Sequence, residues 1–148
     1  METIVRTLVL QNEHETEALG RQLAEAAKPG QVIALTGDLG AGKTTLARAI
    51  ARAIGICGPV TSPTFTILQE YDEGRLPLYH FDVYRIDDPS DMDELGYDEY
   101  FYGEGLCIVE WADKIDDLLP PSTMRIHIRY GAEEDQRICE ITQRMESK

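Results

Sequence analysis

At the start of the chain, apolar residues recur first with the two-residue period of a strand and then with the period of a helix. These patterns predict a strand followed by a helix. Thr3–Leu10 alternates β-branched and apolar residues, which predicts a strand. Asn12 followed by Glu15 is a capping-box pattern and predicts a helix start, which Pro29 and Gly30 bring to an end. The apolar face of this helix is predicted to carry Leu19, Leu23 and Ala26 or Ala27.

Two short apolar runs bounded by turn residues are typical of strands buried on both faces. Gln31–Thr36 contains Val-Ile-Ala-Leu, and Gly105–Trp111 contains Leu-Cys-Ile-Val. Between them, Lys43–Ile54 carries a strong helix pattern that Gly55 ends. The two runs therefore predict the centre of a sheet.

The remaining segments predict two antiparallel strand pairs and two short helical stretches. The strand-like segments are Phe65–Tyr71 with Leu76–Tyr84, as a hairpin, and Met124–Tyr130 with Arg137–Thr142, as a terminal pair. Helical stretches are predicted after Pro89 and over Asp113–Leu119. Together the elements predict one α/β domain over residues 1–148, a mixed β-sheet flanked by helices.

Composition excludes several classes of protein. The chain of 148 residues is 43% hydrophobic and 28% charged, which is a globular rather than a disordered composition. No apolar run approaches the roughly 18 residues of a membrane span, and Met1–Leu10 carries charged residues where an export signal has an apolar core. Three scattered cysteines and three single histidines disfavour a zinc site and predict reduced thiols, as in a cytoplasmic protein.

The formal net charge of −13 disfavours strong direct binding to nucleic acid, because a phosphate backbone is repelled. From Ile86 to Asp113 there is no lysine or arginine. This stretch is either a solvated surface or a docking face for a basic protein partner. Its ten carboxylates are Asp87, Asp88, Asp91, Asp93, Glu94, Asp98, Glu99, Glu104, Glu110 and Asp113.

A complete phosphate-loop motif lies between the first buried strand and the helix that follows it. Its residues match GxxxxGK[ST] and are Gly37, Asp38, Leu39, Gly40, Ala41, Gly42, Lys43 and Thr44, followed by Thr45. The glycines let backbone N–H groups curl around phosphates, and the helix start adds its positive dipole end. In this motif Lys43 reaches the β- and γ-phosphates and the Thr44 hydroxyl ligates Mg²⁺. The predicted fold is accordingly P-loop NTPase-like.

Two carboxylates end apolar strands near this loop and are candidates for binding Mg²⁺ or ordering the attacking water. Asp82 follows Leu-Tyr-His-Phe, and Glu110 follows Leu-Cys-Ile-Val. The sequence leaves their division of labour open. The alternatives are an exposed edge-strand residue paired with Arg85 for Asp82, and a surface carboxylate beside a core Trp111 for Glu110.

Two further features near the motif have both a functional and a structural interpretation. Ser62, Pro63 and Thr64 follow the phosphate-loop helix, where Thr64 could sense the γ-phosphate or metal, or merely solvate a turn. His80 shares a strand face with Asp82, and a packed, hydrogen-bonded histidine is the preferred interpretation.

The sequence up to this point is compatible with four classes of nucleotide-binding protein: an ATPase, a GTP-dependent switch, a small-molecule kinase and a structural subunit. Asp113-Lys114-Ile115-Asp116 nearly matches the guanine-reading Asn-Lys-x-Asp, but an aspartate at the first position disfavours a GTP-dependent switch. A small-molecule kinase would need an arginine-bearing lid, which the acidic stretch does not supply. The fourth class is a structural subunit whose fold the nucleotide merely stabilises.

The blocks GDLGAGKTT, SPTF, LYHFDVYR and IVEWADK, in this order and in so short a chain, resemble the TsaE (YjeE) family. Its members are the ATPase component of the bacterial machinery that makes threonylcarbamoyladenosine at position 37 of certain tRNAs. The resemblance covers Gly37–Lys114 by motif and nearly the whole chain by length and order of elements.

The resemblance implies a slow ATPase with Mg²⁺ that works with a TsaB–TsaD complex and resets it between catalytic cycles. It implies phosphate and metal roles for Lys43 and Thr44, an acidic strand-end role for Asp82 and a Mg²⁺ role for Glu110. It also implies that Trp111 is needed for activity and that Ser62, Pro63 and Thr64 form a switch-like loop.

Overall fold

The structure, a computed structural model, describes residues 2–38, 42–58, 60 and 67–145. The strands are β1 (Glu2–Leu10), β2 (Val32–Gly37), β3 (Leu68–Tyr71), β4 (Leu78–Asp82), β5 (Leu106–Glu110), β6 (Met124–Tyr130) and β7 (Arg137–Met145). The α-helices are α1 (Glu13–Ala26), α2 (Lys43–Ala53) and α3 (Tyr97–Phe101), and 3₁₀ helices span Pro89–Leu95 and Ala112–Leu118.

The seven strands form one mixed sheet in the order β1-β7-β6-β2-β5-β4-β3. β2 pairs in parallel with β5 and β6, and β4 pairs in parallel with β5. The outer pairs, β1 with β7, β6 with β7 and β3 with β4, are antiparallel. The predicted mixed sheet, the hairpin and the terminal strand pair are confirmed, with β3 beginning at Leu68, and residues 65–66 of the predicted hairpin strand lie outside the described residues.

Both faces of the sheet are covered. Leu35 and Ile108 face α1 and α2 in one apolar cluster, whereas Ala34 and Val109 face α3 and the 3₁₀ helices in another. All five residues of β5 are buried, so the prediction that this strand is covered on both faces is confirmed.

Helix α1 begins as the capping pattern predicts, with one difference in detail. The Glu15 N–H donates to Asn12 Oδ1 over 3.0 Å. The Glu15 carboxylate in turn accepts from the N–H of Gln11 over 2.6 Å, one residue before the cap. The Glu15 N–H, an orphan donor of the first helical turn, is thereby satisfied, and the N–H of Gln11 before the cap gains an acceptor. Of the two alternative apolar positions at the end of this helix, Ala27 is buried and Ala26 is exposed.

The acidic stretch folds into the first 3₁₀ helix, α3 and the strand β5. Nine of its ten carboxylates are exposed, which agrees with the solvated-surface interpretation, and the tenth, Glu110, is buried at the end of β5.

All three cysteines are free. Cys107 and Cys139 are buried, and burial raises the pKa of their thiols to about 12 and to about 11. Both thiols are therefore protonated at neutral pH. Cys57 is exposed. In the part of the chain that the structure describes, the helices lack the length and apolar content that a membrane span requires.

Candidate functional site

Lys43 is the first residue of α2, and its ammonium lies at the carboxyl end of β2. Its Nζ donates to the carbonyl oxygens of Gly37 over 2.8 Å and Asp38 over 3.1 Å. The residue is only 5% exposed. Burial lowers the pKa of Lys43, and the surrounding carboxylates of Glu110, Asp113, Asp38 and Asp82 oppose that shift. The lysine of the predicted motif is therefore a mostly desolvated cation among acids.

Gly37 and Gly42, the two glycines of the motif that lie among the described residues, are required for different reasons. Gly37 has a φ of 137° and ends β2, where a Cβ would lie 1.9 Å from the carbonyl oxygen of Ile128 in β6. Gly42 has a φ of 112° and caps α2, but a Cβ there would meet nothing within 4 Å. Of these two glycines, Gly37 is needed both for its conformation and for the close approach of β6, and Gly42 for its conformation alone.

Gly37→Ala should therefore destabilise the protein far more than Gly42→Ala. The first substitution adds a collision with backbone to a strained φ, and together these cost about 3 kcal/mol or more. The second incurs only the conformational cost, about 1–2 kcal/mol. Urea unfolding without nucleotide measures both free energies. Equal losses in the two variants would contradict this account of β2 and β6.

Thr44 and Glu110 form the next part of the site. The Thr44 hydroxyl donates to Glu110 Oε1 over 2.9 Å, which joins the first turn of α2 to the end of β5. Glu110 is 2% exposed, so the alternative of a surface carboxylate is wrong. The predicted phosphate-loop threonine and one of the two candidate carboxylates are thus in direct contact.

Asp82 lies beside Glu110, because the two residues are register partners at the ends of the parallel strands β4 and β5. The Asp82 carboxylate accepts the N–H of Tyr84 over 3.0 Å. It is 6% exposed, and β4 is an inner strand, so the alternative of an exposed edge-strand residue is wrong. Both predicted carboxylates stand at the same edge of the sheet as Lys43.

His80 contacts the site in a way that the sequence analysis missed. Its Nε2 lies 2.6 Å from Glu110 Oε2, and the side chains of the two residues are 1% and 3% exposed. The prediction of a packed, hydrogen-bonded histidine is confirmed, but its partner is a candidate site residue. The sequence does predict that His80 and Asp82, two residues apart on one strand, have side chains on the same face of the sheet.

Trp111 follows Glu110 directly and packs against the lysine. The Lys43 ammonium lies 4.1 Å from the centroid of the indole ring, within the range of a cation–π contact. Trp111 has a φ of 61°, a left-handed conformation that is costly for a bulky residue. Tyr84, which the sequence analysis did not single out, packs on the indole with ring centroids 4.8 Å apart. Tyr84 is 50% exposed, so this aromatic pair extends from the buried ammonium to the surface.

The remaining predicted site residues divide into two groups. Asp38 is exposed, and Thr45 lines a cleft of about 450 Å³ between α1 and α2 with Arg48 and Arg52. The rest lie outside the described residues and are Leu39, Gly40, Ala41, Ser62, Pro63 and Thr64.

The donor set at this edge of the sheet suits a hard cation that is held mainly by phosphates and water. Thr44, Glu110 and Asp82 supply a hydroxyl and two carboxylates, which are oxygen ligands of the kind that Mg²⁺ prefers. Among the described residues, no group of three or more His, Cys, Asp or Glu is arranged to hold a metal. The residues thus fit Mg²⁺ bound together with a nucleotide and do not form a cage of protein ligands.

The residues that nearly match a guanine-reading motif, Asp113 to Asp116, make contacts with other parts of the chain. Asp113 to Asp116 lie in the 3₁₀ helix Ala112–Leu118, and Asp116 forms an ion pair with Arg125 of β6. Lys114 donates to the carbonyl oxygen of Tyr84. Asp116 and Lys114 of the near match therefore both have partners within the chain.

The parallel strands β2, β4 and β5 bring the lysine at the start of α2 and two carboxylates to one edge of the sheet. This arrangement defines an α/β protein of P-loop-like fold. The family model for the threonylcarbamoyl adenosine biosynthesis protein TsaE matches residues 10–139. That match covers most of the chain, so the protein belongs to the TsaE family.

Relatives and a solved structure agree with this assignment. A tRNA threonylcarbamoyladenosine biosynthesis protein TsaE of Bacillus subtilis (strain 168) is 50% identical over 127 residues, covering 86% of this chain and 79% of the relative. A protein of the same name from Rickettsia felis is 39% identical over 137 residues, covering 90% and 78%. The crystal structure of Bacillus subtilis YdiB matches with a TM-score of 0.84 at 42% identity, covering 97% of this chain and 88% of that one.

Proposed function

We propose that this chain is the ATP-binding and ATP-hydrolysing component of the machinery that forms threonylcarbamoyladenosine in tRNA. The observation that carries the proposal is the contact between Thr44 and Glu110 beside the buried ammonium of Lys43. The family's name concerns threonylcarbamoyladenosine biosynthesis. A phosphate-loop motif in a member of that family supports our proposal that nucleotide hydrolysis is the contribution of this chain to the pathway.

The charge of Lys43 supports phosphate binding. Its ammonium is largely removed from water and lies among carboxylates and carbonyl oxygens at the carboxyl end of β2. An anion placed there gains a strong electrostatic interaction because little water screens it. The amide groups at the start of α2 add a positive dipole end. The triphosphate of ATP is therefore the anion that we assign to this site.

Thr44 and Glu110 would hold Mg²⁺ together with the phosphates. The Thr44 hydroxyl donates its hydrogen bond to Glu110, so the lone pairs of its oxygen remain for a cation. When bound, Mg²⁺ supplies neutralisation of charge that develops on the phosphates. Glu110 also positions Thr44, and each of its two oxygens, which accept from Thr44 and His80, keeps a lone pair for Mg²⁺ or a water bound to it.

We assign the ordering of the attacking water to Asp82. It stands one strand away from Glu110 in register, at the end of β4, and its carboxylate accepts a backbone N–H there. Phosphoryl transfer to water requires positioning more than covalent chemistry. The hydrogen bonds described for Lys43, Thr44 and Glu110 join them to carbonyl oxygens, to one another and to His80, and none of these bonds comes from an arginine. The chain alone is accordingly expected to hydrolyse ATP slowly.

A partner that completes the site would accelerate hydrolysis, and we propose the TsaB–TsaD complex as that partner. Hydrolysis would reset the complex between cycles and would leave the transfer of the threonylcarbamoyl group to the partner. An arginine supplied in trans is worth roughly 10³–10⁵ in rate in other P-loop enzymes. The wide acidic surface formed by the first 3₁₀ helix and α3 suits a basic partner.

Adding TsaB–TsaD should raise ATP turnover by about 10³-fold if an arginine completes the site. Phosphate release is measured for the chain alone, the partners alone and the mixture, with ATP and with GTP. Equal turnover with and without partners would argue against the proposal. Phosphate release only in the presence of a small-molecule acceptor would point to a kinase, and a preference for GTP would point to a GTP-dependent switch.

A further inference from the structure

His80 contacts the oxygen of Glu110 that does not bind Thr44, so it can fix the orientation of the carboxylate. It lies on β4, two residues before Asp82 and on the same face of the sheet. Its ring is 1% exposed, and Nε2 lies 2.6 Å from Glu110 Oε2. The other oxygen of the same carboxylate accepts the Thr44 hydroxyl over 2.9 Å. A chain of two hydrogen bonds thus connects β4, β5 and α2.

The surroundings of the ring determine which nitrogen carries the hydrogen. Nδ1 is buried and has no hydrogen-bond partner among the described residues. A hydrogen on Nδ1 would be a buried donor without an acceptor, which proteins rarely tolerate, whereas a bare lone pair there is less costly. A carboxylate only accepts hydrogen bonds. The arrangement that satisfies most groups is therefore Nε2–H donating to Glu110, with Nδ1 unprotonated.

We propose that His80 is a positioning residue for the metal-binding hydroxyl of Thr44 and acts through Glu110. By donating to Oε2, it fixes the plane of the carboxylate and aims Oε1 at Thr44. The Thr44 proton is then held on the Glu110 side, and its lone pairs face the phosphate loop. This inference rests on the proposed function of the site as a nucleotide and Mg²⁺ site. It assigns His80 a role that packing alone does not require.

His80→Phe removes the donor while keeping an aromatic ring of similar size. We expect the buried Oε2 to lose its partner and the carboxylate to turn away from Thr44. Loss of such an outer partner typically weakens metal binding about 10–100-fold. The Mg²⁺-dependent part of nucleotide affinity should therefore fall, while affinity measured in EDTA should not. His80→Gln, whose amide N–H can reach Glu110, should preserve the Mg²⁺-dependent part.

The test is titration calorimetry with ADP, in Mg²⁺ and in EDTA, on the wild-type chain and both His80 variants. The ratio of the Kd in EDTA to the Kd in Mg²⁺ should fall about tenfold in His80→Phe and stay within about threefold of wild type in His80→Gln. Leu78→Val, a change to a buried residue on the same face of β4, controls for loosening of that strand. His14→Gln controls for the substitution itself, because His14 is exposed on α1.

Each outcome decides between the possibilities. A folded His80→Phe with the wild-type ratio would overturn the positioning role while leaving the proposed function intact. A wild type that binds no ADP with Mg²⁺ would overturn the proposed function itself. If His80→Phe does not fold, ¹⁵N spectra of the wild-type ring still test the hydrogen bond to Glu110 on which the inference rests. An unprotonated Nδ1 and a protonated Nε2 are expected, and a protonated Nδ1 would contradict the inference.

Discussion

Lys43→Ala should lower the affinity for ATP by about 100-fold or more, since it removes the one buried ammonium described at the end of β2. A hydrogen bond that involves a charged group is worth about 1.5–3 kcal/mol, and a desolvated site strengthens it. Titration calorimetry with ATP and Mg²⁺ measures this loss directly. Hydrolysis should fall with binding, because Lys43 also neutralises charge on the phosphates.

The matched control is Lys28→Ala, which removes one positive charge from an exposed position after α1. It changes the net charge equally but should leave ATP affinity at the wild-type value. Thermal denaturation of both variants separates loss of binding from loss of fold. ATP binding by a folded Lys43→Ala at wild-type affinity would place the phosphates elsewhere on the protein.

Neutralising Asp82 and neutralising Glu110 should have different effects on nucleotide binding and on the rate of hydrolysis. Asp82→Asn should leave nucleotide affinity within about threefold of wild type but lower the rate of hydrolysis by about 10²–10⁴-fold, the range of a lost general base. Glu110→Gln should weaken the Mg²⁺ dependence of binding about 10–100-fold, because Thr44 loses its charged acceptor. Hydrolysis measured with partners present, alongside binding with and without Mg²⁺, distinguishes the two patterns.

Glu140→Gln is the control for loss of a negative charge, because Glu140 pairs with Arg129 on the half-exposed surface of β6 and β7. Such an exposed pair contributes at most about 1 kcal/mol. The assignment of roles would be reversed if Asp82→Asn lost the Mg²⁺ dependence and Glu110→Gln kept it. Identical effects of the two changes on binding and rate would mean that the carboxylates act as one unit.

Strands and helices were predictable wherever burial leaves a pattern along the chain. The continuous apolar runs of β2 and β5 signal strands covered on both faces, and Asn12 with Glu15 signals the start of α1. The order of strands was not predictable to the same extent. The terminal pair lies between β2 and β1, so that β1 forms an edge, and such pairing depends on packing between segments far apart in sequence.

The candidate site was predictable where one local motif carries the chemistry and not where a contact depends on register. Lys43 and Thr44 follow from the phosphate-loop spacing alone. The contact of His80 with Glu110 requires that β4 and β5 be parallel neighbours in one particular register. The left-handed backbone of Trp111, which brings its indole under Lys43, has no signal in the residue type either.

The most direct measurement of the central claim is a crystal structure with a non-hydrolysable ATP analogue and Mg²⁺. The account predicts the terminal phosphates against the Lys43 ammonium and the metal on the Thr44 hydroxyl. It also predicts Glu110 still hydrogen-bonded to Thr44 and a water held by Asp82 in line with the terminal phosphate. Phosphates bound away from Lys43, or a metal that makes no contact with Thr44, would contradict it.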